Sequence, residues 1–84
     1  MNEDIPNPVT KEWLWRVLGR VPEGALMKRR YGVEEQLEVD WCFLKRVQEL
    51  EPGLMAELVG SYRRNGAFNV SVRVRDKLME RGLI

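Results

Sequence analysis

Side chains able to act as nucleophiles, bases or metal ligands are few in this sequence. Its hydroxyl and thiol groups are Thr10, Tyr31, Cys42, Ser61, Tyr62 and Ser71, and it contains no histidine to take a proton from any of them. A nucleophile activated by histidine is therefore excluded. One cysteine and no histidine also leave too few ligands for a structural zinc site, which is built from Cys and His. Glu34 and Glu38 form the clearest carboxylate pair at helical spacing, but no further Asp or Glu joins them in a pattern that would cage a divalent cation. No glycine-rich phosphate loop is present. The expectation is a protein that is not an enzyme and uses no cofactor and no metal. Cys42 reads as a small, half-buried apolar side chain between Trp41 and Phe43, and an intramolecular disulfide is impossible with one cysteine.

Binding chemistry is better represented. Fourteen Lys and Arg stand against thirteen Asp and Glu, for a net charge of +1. Their distribution is uneven. Residues 61–84 hold six basic residues, Arg63, Arg64, Arg73, Arg75, Lys77 and Arg81, against Asp76 and Glu80, whereas the first sixty residues hold eight basic and eleven acidic ones. Arg73, Lys77 and Arg81 follow i, i+4 spacing, which places them on one side of a helix. Lys28, Arg29 and Arg30 make a second basic cluster, fit either to bind phosphate or to complement a helix C-terminus. Trp15 lies at the edge of an apolar stripe and is a candidate partner contact.

Two function classes follow. The first is a small regulatory module acting by protein–protein interaction, as a homo-oligomer or as an inhibitor or adaptor of a larger protein; arginine and exposed aromatics are both favoured at interfaces. The second is a DNA-binding regulator using the basic segment 63–81 on duplex DNA. The stretch NVSVRVRDKLMERGLI, residues 69–84, resembles the recognition helix of a winged helix-turn-helix, which implies duplex DNA as a partner and a wing after the helix. Taken as a strand, residues 70–75 are similar instead to the ribbon of a ribbon-helix-helix repressor, which implies two further helices after the ribbon. Each resemblance covers under a fifth of the 84 residues.

The elements that would position these residues are read from apolar spacing. Residues 33–50, VEEQLEVDWCFLKRVQEL, form the strongest pattern. At 3.6 residues per turn, Val33, Leu37, Trp41, Leu44 and Val47 share one side, widened by Phe43 and Leu50. The spacing predicts a broad-faced central helix. Asp40 falls inside that apolar arc, where a carboxylate needs a partner; either the helix breaks and Asp40 caps a second one, or an arginine pairs with it.

Thr10 reads as the N-cap of a helix over 10–20 whose stripe is Trp13, Leu14, Val17, Leu18 and Val21. Residues 25–31 read as one or two helical turns stopped by Gly32. Pro52 opens a further helix over 53–64, closed by Asn65-Gly66. Over 68–75, Phe68, Val70, Val72 and Val74 alternate with polar residues as in a strand, while a helix over 71–81 capped by Asn69 or Ser71 and stopped by Gly82 suits the helical context. The strand alternative requires a pairing partner, met by a second copy of the chain or by residues 37–39.

The fold class expected is therefore mostly α: a small bundle of four or five helices around 33–50, with a short β-strand at 68–75 as the alternative. Residues 1–9, with Pro6 and Pro8, read as a flexible arm, and 10–84 as a single helical domain. No apolar run reaches membrane-spanning length and the N-terminus lacks the pattern of a signal peptide, so the expected location is cytoplasmic, with no membrane partner.

Overall fold

Thr10 holds extended backbone angles and its Oγ1 accepts the amide of Trp13 at 3.1 Å, which starts the first helix, α1 (Lys11–Leu18). In this computed structural model residues 5–21 and 32–84 are described. The expected turns over 25–31, and with them Lys28, Arg29 and Arg30, lie outside that range. α1 buries Leu14, Val17 and Leu18 and leaves Trp15 47% exposed. Val21, the last apolar position of the stripe, is buried just beyond the helix.

The second helix, α2 (Val33–Leu50), is continuous through Asp40. Asp40 is buried but does not begin a new helix: its Oδ1 accepts from Gln36 Nε2 at 3.0 Å, one turn upstream. The apolar face is narrower than the sequence pattern. Leu37, Leu44 and Val47 are buried, Trp41 and Phe43 are half-buried, and the two ends, Val33 and Leu50, are 40% and 46% exposed.

Pro52 opens a single 3-10 turn (Pro52–Leu54) and α3 (Met55–Asn65) follows directly. α3 contributes Met55, Leu58, Val59 and Tyr62 to the core and ends at Gly66, whose φ of 68° is a left-handed conformation that glycine adopts without a side-chain clash. α1 packs against both α2 and α3, and α2 against α3. Leu14, Leu44, Leu58 and Tyr62, from all three helices, are fully buried where these elements meet.

The last helix, α4 (Val72–Glu80), begins at Ser71, whose Oγ accepts the amide of Val74. The fold is mostly helical, and no strand occurs among the described residues. Ser71 explains why the alternation over 68–75 does not become one. Val70 lies before the cap and Val74 after it, so the apolar residues at 70 and 74 turn inward from different backbone conformations, and Val72 is left 65% exposed. α4 ends in a Schellman arrangement: the Leu83 amide donates to the Leu78 carbonyl, the Gly82 amide to the Met79 carbonyl, and Gly82 holds φ 70°. Leu83 folds under the helix end and is buried with Leu78 and Val74. Every other residue of α4 is exposed.

Residues 5–9, expected as an arm, lie against α2. Gln48 accepts the Val9 amide at 2.8 Å and donates to the Pro6 carbonyl at 2.7 Å, while the Trp41 indole N–H donates to the Val9 carbonyl at 2.9 Å. Val9 is buried as a result. Among the described residues no helix is long and apolar enough to cross a membrane.

Candidate interaction surface

Ser61 is the residue that sets the geometry of the outer face. It is fully buried in α3, and its hydroxyl donates to the Ala67 carbonyl at 2.8 Å and accepts the Asn69 amide at 2.7 Å. Those two bonds hold the 66–70 segment against α3 and carry Phe68 onto an aromatic group. Phe68 stacks on Tyr62 with centroids 5.2 Å apart and tilts against Phe43 at 5.1 Å, within the range where aromatic pairs attract.

Phe43 and Phe68 floor a cleft of about 480 Å³ between α2, the 68–70 segment and α4. Its apolar wall is Val39, Phe43, Phe68, Val70, Leu78 and Ile84; its polar groups are Asp40, Asn69 and Arg75. Val39 is 59% exposed and Ile84 60%, both at the rim. The apolar surface continues outward along α4. Val72 and Met79 lie three residues before and four after Arg75, on the same side of the helix, and are 65% and 57% exposed. Leu50, 46% exposed, lies at the C-terminal end of α2, next to Glu51. Of the seven large apolar side chains exposed among the described residues, Val39 and Ile84 line the cleft.

The basic residues of the C-terminal quarter are not gathered into one patch. Arg73, Lys77 and Arg81 line the side of α4 away from the cleft, and Arg81 is engaged, its Nε 2.8 Å from Glu51 Oε1 at the end of α2. Arg75 sits on the cleft side. Arg63 is half-buried and has interactions of its own, whereas Arg64 is exposed at the end of α3. Trp15 is exposed on α1, beside a shallow depression formed with Lys11, Glu12, Arg16 and Leu37.

Trp41 shows how far cations are committed elsewhere. Lys11 and Lys45 both lie over its ring, 4.7 and 4.4 Å from the centroid, and Lys11 also pairs with Glu38 at 2.6 Å. Cys42 is free and exposed, not half-buried as expected from its apolar neighbours. Among the described residues no group of three His, Cys, Asp or Glu side chains is placed to hold a metal ion.

The cleft is absent from the sequence reading because its walls come from three separate segments. The retrievable signal was the surplus of Val72 and Met79 once 72–80 is read as a helix with Val74 and Leu78 inward. No family model, no curated protein and no solved structure matches this chain.

Proposed function

We propose that the protein is a small non-enzymatic regulatory module that acts by docking a protein surface against the cleft between α2 and α4 and the adjoining outer face of α4. The observation that carries this reading is an apolar cleft floored by Phe43 and Phe68 with Val39 and Ile84 exposed at its rim, beside Val72 and Met79, which are exposed on the Arg75 side of α4. Scattered surface apolar residues are ordinary, but a contiguous patch around a concavity is a feature of interaction sites. In this reading α2 is the central frame, since Leu37, Leu44 and Val47 face the core while Val39 and Phe43 face the cleft. Asp40, Asn69 and Arg75 in the lining supply the few polar groups that orient an apolar occupant.

A second reading has its own support. α4 follows α3 through a short segment, is capped at Ser71, and exposes Arg73 and Lys77 on one side, the arrangement of a helix offered to a DNA groove. The net charge of +1 supplies little of the long-range attraction that duplex binding draws on.

The test places a photoactivatable benzophenone side chain at Val39 in the full chain and irradiates it in an extract of the producing cells. A single adduct, to this chain or to another protein, that disappears when Ile84→Glu is added supports docking at the cleft. No adduct overturns it. Retardation of duplex DNA at low salt, lost on Arg73→Ala with Lys77→Ala, would favour the second reading.

A further inference from the structure

We propose that the partner segment docked in the cleft between α2 and α4 carries a bulky apolar side chain next to a carboxylate. The apolar group lies on Phe43 and Phe68, and the carboxylate meets the guanidinium of Arg75. The inference rests on the docking reading above and adds the chemistry of the partner.

Two side chains in the cleft lining carry charge, Asp40 on α2 and Arg75 on α4, and they are not equivalent. Asp40 is 6% exposed and its Oδ1 accepts from Gln36 Nε2, so its charge is held inside the fold. Arg75 is exposed, and among the described residues no ion pair engages it. The accessible side-chain charge of the cleft is therefore positive.

Neighbouring carboxylates do not cancel it. Asp76 and Glu80 stand one and five positions after Arg75, which turns them about 100° and 140° from it around the helix. On α2, Glu35 precedes Val39 by one turn, but its carboxylate lies over Gly32 at the start of the helix. Arg46, exposed and three positions after Phe43, adds a second cation on that side of α2.

The cost of covering the cleft selects the occupant. An apolar segment seated on Phe43 and Phe68 takes water from Arg75 at the wall, and a charge stripped of water is costly unless it is paired and hydrogen-bonded. A cationic segment adds repulsion to that cost. A carboxylate beside the apolar group replaces the lost water with two parallel hydrogen bonds to the guanidinium. The cleft volume of about 480 Å³ holds one large side chain with its neighbour.

The test uses three N-acetylated, C-amidated tripeptides, leucine and phenylalanine followed by glutamate, glutamine or lysine, titrated into the full chain at low salt. The readouts are the Asn69 amide and the ring signals of Phe43 and Phe68 in nuclear magnetic resonance spectra. The glutamate peptide should bind in the millimolar range and about tenfold more tightly than the lysine peptide, with glutamine between them. In Arg75→Gln the preference should fall below about twofold, whereas Arg73→Gln, an equal change of net charge on the side of α4 away from the cleft, should keep it. Circular dichroism checks that both variants retain their helix content, which the exposure of both positions predicts.

Equal binding of the three peptides overturns the proposal, and so does a preference that survives Arg75→Gln or is lost equally in Arg73→Gln. Tighter binding of the lysine peptide also overturns it and assigns the charge of the cleft to Asp40. If no peptide binds in the millimolar range, the partner chemistry is wrong, and the benzophenone probe at Val39 separates the two claims: an adduct keeps the docking reading, and no adduct removes both.

Discussion

Replacing Ser61 by alanine removes one hydroxyl from a fully buried site, and its consequences are local enough to follow. The hydroxyl makes two bonds, to the Ala67 carbonyl and from the Asn69 amide. Each is worth about 1 kcal/mol net, and stranding a partner adds a desolvation cost of similar size. The expected loss is about 2–3 kcal/mol, which for a domain of this size lowers Tm by roughly 10–20 °C. The assay is urea unfolding followed by tryptophan fluorescence and far-ultraviolet circular dichroism, with amide exchange at Asn69 as the local readout. Asn69 should exchange faster even where the global transition is intact, and the Phe43–Phe68 contact should loosen, since Phe68 depends on the two bonds that flank it. A loss below about 1 kcal/mol, with Asn69 still protected, would refute the claim that Ser61 holds the 66–70 segment in place.

Three further outcomes are expected from the same measurements. Leu44→Ala should cost about 2–5 kcal/mol because Leu44 is fully buried on α2, whereas Val33→Ala, on the same projected stripe but 40% exposed, should change stability by less than about 0.5 kcal/mol. Trp41→Phe keeps most of the apolar area but strands the Val9 carbonyl, so it should cost about 1–2 kcal/mol and increase proteolytic cleavage within residues 5–9. Gly82→Ala meets no neighbouring atom but must hold φ 70°, so a loss of about 1–2 kcal/mol in thermal unfolding is expected from backbone strain alone.

Features governed by a few neighbouring residues were legible in the sequence. Thr10 before an apolar stripe, Pro52 before a helix, and glycines at 66 and 82 each act within one turn of backbone, and each marks a helix boundary in the structure. Periodicity also placed α2 correctly. It could not say which positions of the face would be covered, so Val33 and Leu50 look like Leu37 and Val47 in projection. Asp40 was visible as an anomaly, but Gln36 as one of its hydrogen-bond partners was not, because an amide four residues upstream leaves no trace in an apolar pattern.

The alternation over 68–75, which leaves a strand open as the alternative to the helix over 71–81, has a specific cause. It spans a helix cap, and two backbone conformations joined at Ser71 can imitate the period of one strand. Of the candidate contact residues, the positions of Arg73 and Lys77 on α4 follow from spacing. The engagement of Arg81 by Glu51 and the placement of Arg75 in a cleft wall do not, because both depend on where α4 lies against α2.

The attachment of residues 5–9 to α2 has a consequence for the order of events during folding. The bonds from Gln48 and Trp41 join residues 32 to 42 positions apart, and closing so long a loop costs entropy that only the neighbouring contacts of α1 with α2 help to offset. α2 and α3, joined by one 3-10 turn, come together at far shorter range. The N-terminal segment should therefore dock late, onto an α2 that already exists, and the Val9 amide, held by a side chain rather than by a helix, becomes a kinetic marker for that last step.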